Sequence, residues 1–242
     1  MVDLVFYGFF LFLLFYKIDS RFVPSKTLEK DQTALLKGFL AIWVVLHHIA
    51  IEPVAKNEGS LVFFDQTGTI PTAIFFFLMG YGTFTSYMQN PEYHKEYIKK
   101  KMVNVVIPYL LVAGFYKLIG SNYGYGVLWF IRQGIIFYGV FYIAMRLFKN
   151  KQKLVLGSIY LTCFAITVYL MMTSVKMWEY ETTFAIFLGA VYAYSKHGDR
   201  LLLETSAVTL FLSLIMKNEG LSYTFQKFGI SVIFILFFCG DA

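Results

Sequence analysis

Charge is scarce in this chain: acidic and basic residues fill only 15% of its 242 positions, while 58% are hydrophobic. That balance, with a mean hydropathy of +0.61, excludes a disordered chain and exceeds the apolar content a soluble domain of this length needs. Cysteine is almost missing. Cys163 and Cys239 both lie inside apolar runs, with no CxxC and no Cys/His spacing, so they read as small buried hydrophobes and no metal site is expected. GxSxG, the Walker loop and GxGxxG are absent too, which removes the usual signatures of a serine hydrolase, a nucleoside-triphosphatase and a dinucleotide enzyme. Internal repeats, low-complexity tracts and long linkers are lacking, so residues 1–242 read as a single integral membrane domain.

What remains is a series of apolar runs separated by short charged breaks. Runs of roughly 17–25 apolar residues are the mark of membrane-spanning helices. The expected fold is all-α: a polytopic transmembrane bundle with about nine segments, at 2–16, 35–52, 69–88, 102–119, 127–147, 154–172, 182–195, 201–216 and 227–240. The first, MVDLVFYGFFLFLLFY, has Asp3 and no Lys or Arg ahead of its apolar stretch, and no small-residue cleavage site follows. It reads as a helix that stays in the chain rather than a signal peptide. The FFF and FF runs read as packing.

The net charge of +6 does not point to nucleic acid, because the basic residues sit between apolar runs. The stretches 17–37, 95–101, 146–153 and 196–200 hold 15 of the 21 Lys and Arg residues. They alternate with stretches poor in positive charge at 53–68, 120–126, 173–181 and 217–226. The positive-inside rule then makes the basic loops cytoplasmic and the N-terminus external in a multi-pass protein of the cell membrane. Segment 35–52 runs from inside to outside.

That segment, LLKGFLAIWVVLHHIA at 35–50, keeps groups that hydrocarbon penalises. At about 100° per residue, Lys37, Ala41, Val45, His48 and Glu52 share one helix face. His47 points roughly 100° away from His48. The rise from Lys37 to His48 is about 16 Å, which places the imidazole near the middle of a layer about 30 Å thick. An ionisable group at that depth faces a cavity or pathway. Glu52 is placed to hold the tautomer of His48 and make it more basic, and Lys37 to attract an anion at the inner mouth. The plainer reading is a histidine bonded to a backbone carbonyl, and for His47 that reading leads. Adjacent histidines do not share a helix face, which argues against a metal pair.

Lys37–x10–His48 resembles the first signature of the acyltransferase 3 family, membrane enzymes that acylate hydroxyls of surface polysaccharides and related acceptors. IFFFLMGYGTF at 74–84 is similar to the family's FFFLSGYG stretch, with Met79 in place of the common Ser and Ala73 where many members are acidic. EYIKKKMVNVVIPYLL at 96–111 resembles its basic loop leading into a Pro-containing helix, with Lys101 matching one basic position and Asn104 standing at the other. LWFIRQGIIFYGVFY at 128–142 resembles its W-F segment, with Arg132 or Gln133 near the place of a Glu. ETTFAIFLGAVYA at 181–193 is similar to a later Phe-rich helix. The resemblance is clearest over 30–195 and suggests a short or C-terminally truncated member.

The resemblance implies an acyl-CoA donor, acetyl-CoA above all, on the cytoplasmic side and a carbohydrate hydroxyl outside. His48 would act as general base with Glu52 behind it, or form a transient acyl-His. Lys37, Lys100 and Lys101 would hold CoA phosphates, against inner-face anchoring as the plain role of Lys100 and Lys101. Arg132 would meet the acceptor or an oxyanion, against snorkelling to headgroups, which is also the reading for Lys117. Glu181 needs only the dipole of the helix it opens. The rival class is a transporter or flippase using Lys37, His48 and Glu52 for proton or ligand coupling. A third is an inactive remnant kept as a membrane partner.

Overall fold

The computed structural model describes residues 30–51, 61–90, 92–120, 128–173, 179–195, 198–215 and 219–239. Among them all regular structure is helical. The helices are α1 (Lys30–Ala50), α2 (Val62–Thr67), α3 (Thr69–Gln89), α4 (His94–Lys101), α5 (Ile107–Leu118) and α6 (Trp129–Phe148). They continue with α7 (Gln152–Met172), α8 (Phe184–Tyr194), α9 (Gly198–Ile215) and α10 (Glu219–Cys239). The expected segment 2–16 lies outside the described residues.

Four stretches among the described residues are long and apolar enough to cross a membrane: Thr33–Ala50, His94–Leu118, Trp129–Phe148 and Gln152–Met172. The chain is therefore a helical membrane protein, and these four stand where about nine spans were expected. At only 11 residues, α8 rises about 16 Å, roughly half a hydrocarbon layer. Leu110, Leu111, Phe115 and Leu118 on α5 are exposed, as are Leu161, Phe164, Tyr169 and Met172 on α7. In water such continuous apolar surface is a liability; in hydrocarbon it is the ordinary helix exterior.

One boundary differs in kind from the expectation. Residues 95–101 are helix, not loop, and α4 runs into α5 through a π-helical turn at Met102–Val106. Its cause is Pro108, on the first turn of α5. Proline has no N–H to donate, and its ring collides with the carbonyl four residues back. The widened turn absorbs the conflict: the Ile107 N–H bonds Met102 O, five residues back, so the helix continues.

The chain divides into two compact units, Met1–Phe75 with Asp199–Ala242, and Phe76–Gly198. In the first, α2 packs on α1. Also in this unit, Leu202, Ser206, Thr209 and Ser213 form a buried stripe on α9. Gly229 of α10 lies against Thr209 and Leu210, where a Cβ would be crowded at 2.8 Å and 2.9 Å. The stripe's hydroxyls bond carbonyls of their own helix, which is how Ser and Thr enter helix contacts in lipid without exposing a polar group.

In the second unit α6 packs on α7, α7 on α8, and α4 on α6. The crossing of α3 with α8 is made by glycine on both sides. A Cβ at Gly80 would overlap the carbonyl of Ile186, and one at Gly189 the carbonyl of Phe77. Small residues let backbones touch where no hydrophobic force drives helices together, so dispersion over close contacts holds the pair.

Candidate functional site

On α1 the buried stripe is Leu36, Leu40, Trp43 and Ala50, with half-buried His47 in the same phase. This face meets α2. The Trp43 indole N–H donates to Thr67 Oγ1 at 3.1 Å, and that hydroxyl donates to the Phe63 carbonyl at 2.6 Å. Trp43 also packs on Phe63 and Phe64, with centroids 5.6 Å and 6.3 Å away.

One turn on, His47 Nδ1 lies 2.8 Å from the Phe64 carbonyl. A carbonyl only accepts, so Nδ1 carries the proton and neutral His47 keeps its lone pair on Nε2. The plain role expected of His47, a bond to backbone, is the one it has. Gly68 is part of this arrangement, since a Cβ there would overlap the His47 ring.

His48 lies on the other face. Both ends of the Lys37–His48 spacing fall inside continuous α1, so they share a helix face. Along it Lys37, Ala41 and Val45 are exposed and His48 is half-buried. The two imidazole centroids are 5.4 Å apart with planes tilted by 53°. Glu52, expected behind His48, lies outside the described residues.

The other expected site residues belong to the second unit. The exposed Lys100 ammonium pairs with Glu96 at 2.8 Å. Lys101 is half-buried, 4.3 Å above the Tyr138 ring centroid and 5.4 Å from that of Tyr97. Two ring faces partly replace the hydration an ammonium loses there. The two lysines, equivalent in sequence, are thus in different environments.

Arg132 reaches Glu179, with Nη2 3.5 Å from Oε2, a pair open to solvent on the arginine side. Next to it, Gln133 is buried and donates from Nε2 to the Glu179 carbonyl at 2.6 Å. The turn that follows keeps Glu181, Thr182 and Thr183 buried before α8 begins. The Gln133 amide oxygen and the hydroxyls of Thr182 and Thr183 are buried with no hydrogen-bond partner. Cys163 Sγ lies 3.6 Å from the Thr183 carbonyl, as a small apolar neighbour with a weak S–H donor. Burial, with the Glu181 carboxylate beside it, pushes the Tyr180 phenol above its ordinary value and keeps it a proton donor.

The sequence placed Arg132 or Gln133 near the family's Glu but pointed to a role for Arg132 alone, and gave Glu181 only a helix-dipole role. The available signal was a Gln in an apolar helix, followed some fifty residues later by three consecutive polar residues, Glu181, Thr182 and Thr183, at a helix start.

A family model described as an acyltransferase domain matches residues 34–240. The match therefore covers α9 and α10, beyond the stretch where the motifs are clearest. No curated protein and no solved structure matches the chain.

Proposed function

The chain belongs to the acyltransferase 3 family, and on that premise we propose that it is a membrane O-acyltransferase, moving an acetyl group from cytoplasmic acetyl-CoA to a hydroxyl of an extracytoplasmic glycan. The observation that carries this reading is the Lys37–His48 pair, both inside the matched region and on one face of an unbroken helix. Along that face Lys37, Ala41 and Val45 are exposed and His48 is half-buried.

In the proposed reaction His48 takes the proton of the acceptor hydroxyl as its oxygen attacks the thioester carbon. The new C–O bond forms, the C–S bond breaks, and the CoA sulfur leaves with the proton held by His48. Lys37 supplies positive charge for a donor phosphate, with Glu52 orienting His48. Lys100 and Lys101 at the end of α4 are the candidates for a second phosphate, the Lys100 ammonium being paired with Glu96 and that of Lys101 lying over Tyr138 and Tyr97. Arg132 serves the acceptor side together with Glu179.

The test is CoA release by the purified full chain in lipid nanodiscs, with acetyl-CoA and a mixed panel of glycoside and alkyl alcohols. His48→Ala should lose roughly 10²–10⁴ in rate, the usual worth of a positioned general base. His47→Ala should retain turnover within about tenfold, because its ring is tied to a backbone carbonyl. Equal turnover by wild type and His48→Ala would remove His48 from the chemistry. Movement of a glycan substrate across the bilayer without CoA release would identify a transporter.

A further inference from the structure

Resting on the acceptor reading above, we propose that the start of α6 and the turn before α8 form a subsite for a neutral, hydroxyl-rich ring, one sugar unit of the acceptor, with Gln133 and Thr182 as its specificity-determining residues. The first observation is Gln133 itself. It is 4% exposed, its amide N–H is bound to the Glu179 carbonyl at 2.6 Å, and its amide oxygen has no partner. Both amide atoms share one carbon, so the unanswered oxygen sits beside the same turn.

The second observation is independent. Some threonines inside the helices leave the hydroxyl without a partner, as Thr85 and Thr167 do, while others, such as Thr72, Thr162 and Thr205, return theirs to a carbonyl four residues back. Thr182 and Thr183 are buried just ahead of α8, and their hydroxyls do not. One amide acceptor and two hydroxyls that both donate and accept are thus left in one stretch of the fold.

The chemistry of the neighbours selects the ligand. Among the described residues of this stretch, two carboxylates, Glu179 and Glu181, stand beside one guanidinium, that of Arg132, a balance that disfavours a phosphate or other anion. A simple alkyl alcohol brings one hydroxyl and leaves most of the polar atoms unanswered. A pyranose brings several hydroxyls at fixed spacing, each able to donate and accept. Trp129, one turn before Gln133 on α6, is buried against Phe76 and Phe130, which keeps this end of the helix apolar around the amide.

The experiment is saturation-transfer NMR on the full chain in nanodiscs, with methyl α-glucoside, methyl β-galactoside and methyl N-acetylglucosaminide as probes and cyclohexanol as control. At least one glycoside should bind and cyclohexanol should not. Gln133→Met and Thr182→Val should each weaken that binding about tenfold, and the acceptor KM should rise in parallel. Thr182→Val also guards against misfolding: its hydroxyl has no protein partner, so the unfolding temperature should not fall. A fall in unfolding temperature with binding intact would make these groups structural and overturn the proposal. Failure of every glycoside to bind, or equal binding by wild type and both variants, would leave ordered water as the only occupant and overturn it too. Variant-sensitive binding without acyl transfer by wild type would keep the subsite and sink the acyltransferase reading. Transfer to alkyl alcohols without glycoside binding would do the reverse.

Discussion

Replacing Gly68 by alanine should disturb a histidine 21 residues away in sequence. The backbone at Gly68 is ordinary, with φ −60° and ψ −22°, so alanine meets no conformational strain. Reducing the freedom of the unfolded chain should even stabilise by about 0.4–1 kcal/mol. The obstacle is space: the new methyl would overlap Cγ, Cδ2 and Nε2 of His47. That ring is pinned by its 2.8 Å bond to the Phe64 carbonyl, so it must either leave the bond or push α2 off α1. Losing the bond costs about 0.5–1.5 kcal/mol, and overpacking costs about 1–3 kcal/mol. Less the gain in chain entropy, the net loss is up to about 2.5 kcal/mol, a drop of up to roughly 10 °C in unfolding temperature for a domain of this size. The assay is thermal unfolding of four proteins: wild type, Gly68→Ala, His47→Ala and the double variant. With the ring gone the methyl has room, so Gly68→Ala should become neutral or stabilising in the His47→Ala background. An equal loss in both backgrounds would show that the His47 ring is not what reserves position 68, and would refute the reasoning.

Glycine substitutions elsewhere give a graded series. Gly80→Ala and Gly189→Ala press a methyl onto a backbone carbonyl that cannot rotate aside, so each should cost about 3 kcal/mol or more. Gly139→Ala and Gly157→Ala, with nothing within 4 Å, should be neutral or gain about 0.5–1 kcal/mol of helix propensity; thermal unfolding reads all four. For the donor, Lys100→Met and Lys101→Met at the end of α4 should each raise the acetyl-CoA KM several-fold. An unchanged KM for Lys101→Met in steady-state kinetics would return Lys101 to a purely structural role over its two tyrosines.

The helices were legible in the sequence because apolar runs are long and charge is sparse. The expected 69–88 and 154–172 became Thr69–Gln89 and Gln152–Met172. The 95–101 stretch was misread for a physical reason. Four lysines in seven residues look like a loop by hydropathy, yet Glu92 and Glu96 pair with two of them along one helix surface. The short α2 was invisible, since six residues cannot hold a helix by themselves, and this one rests on Trp43 and His47 of α1. Lys37 and His48 could be placed on one face from spacing alone. Which histidine is tied down could not, because that depends on a carbonyl 17 residues away at Phe64.

Why the turn before α8 carries threonine at all is the remaining physical question. An unanswered buried hydroxyl or amide oxygen costs about 1–3 kcal/mol, so the three here cost on the order of 3–9 kcal/mol. That sum is comparable to the whole net stability of a typical domain. The turn does not answer the groups itself: Thr183 stands at the N-cap of α8 without a side-chain capping bond. A helical threonine can use the carbonyl four residues back, but Thr182 and Thr183 precede the first turn of α8. Valine at both positions would fill nearly the same volume and remove the cost. A polar group that meets these hydroxyls during the working cycle would offset that cost. Without ligand, Thr182→Val should therefore unfold no more easily than wild type, and somewhat less easily if water answers the hydroxyl only in part. With a bound glycoside the order should invert, since wild type alone recovers the hydrogen bond. Thermal unfolding of both proteins, with and without saturating methyl glycoside, measures that crossing directly. Parallel shifts in the two proteins would mean that the hydroxyl never meets the sugar.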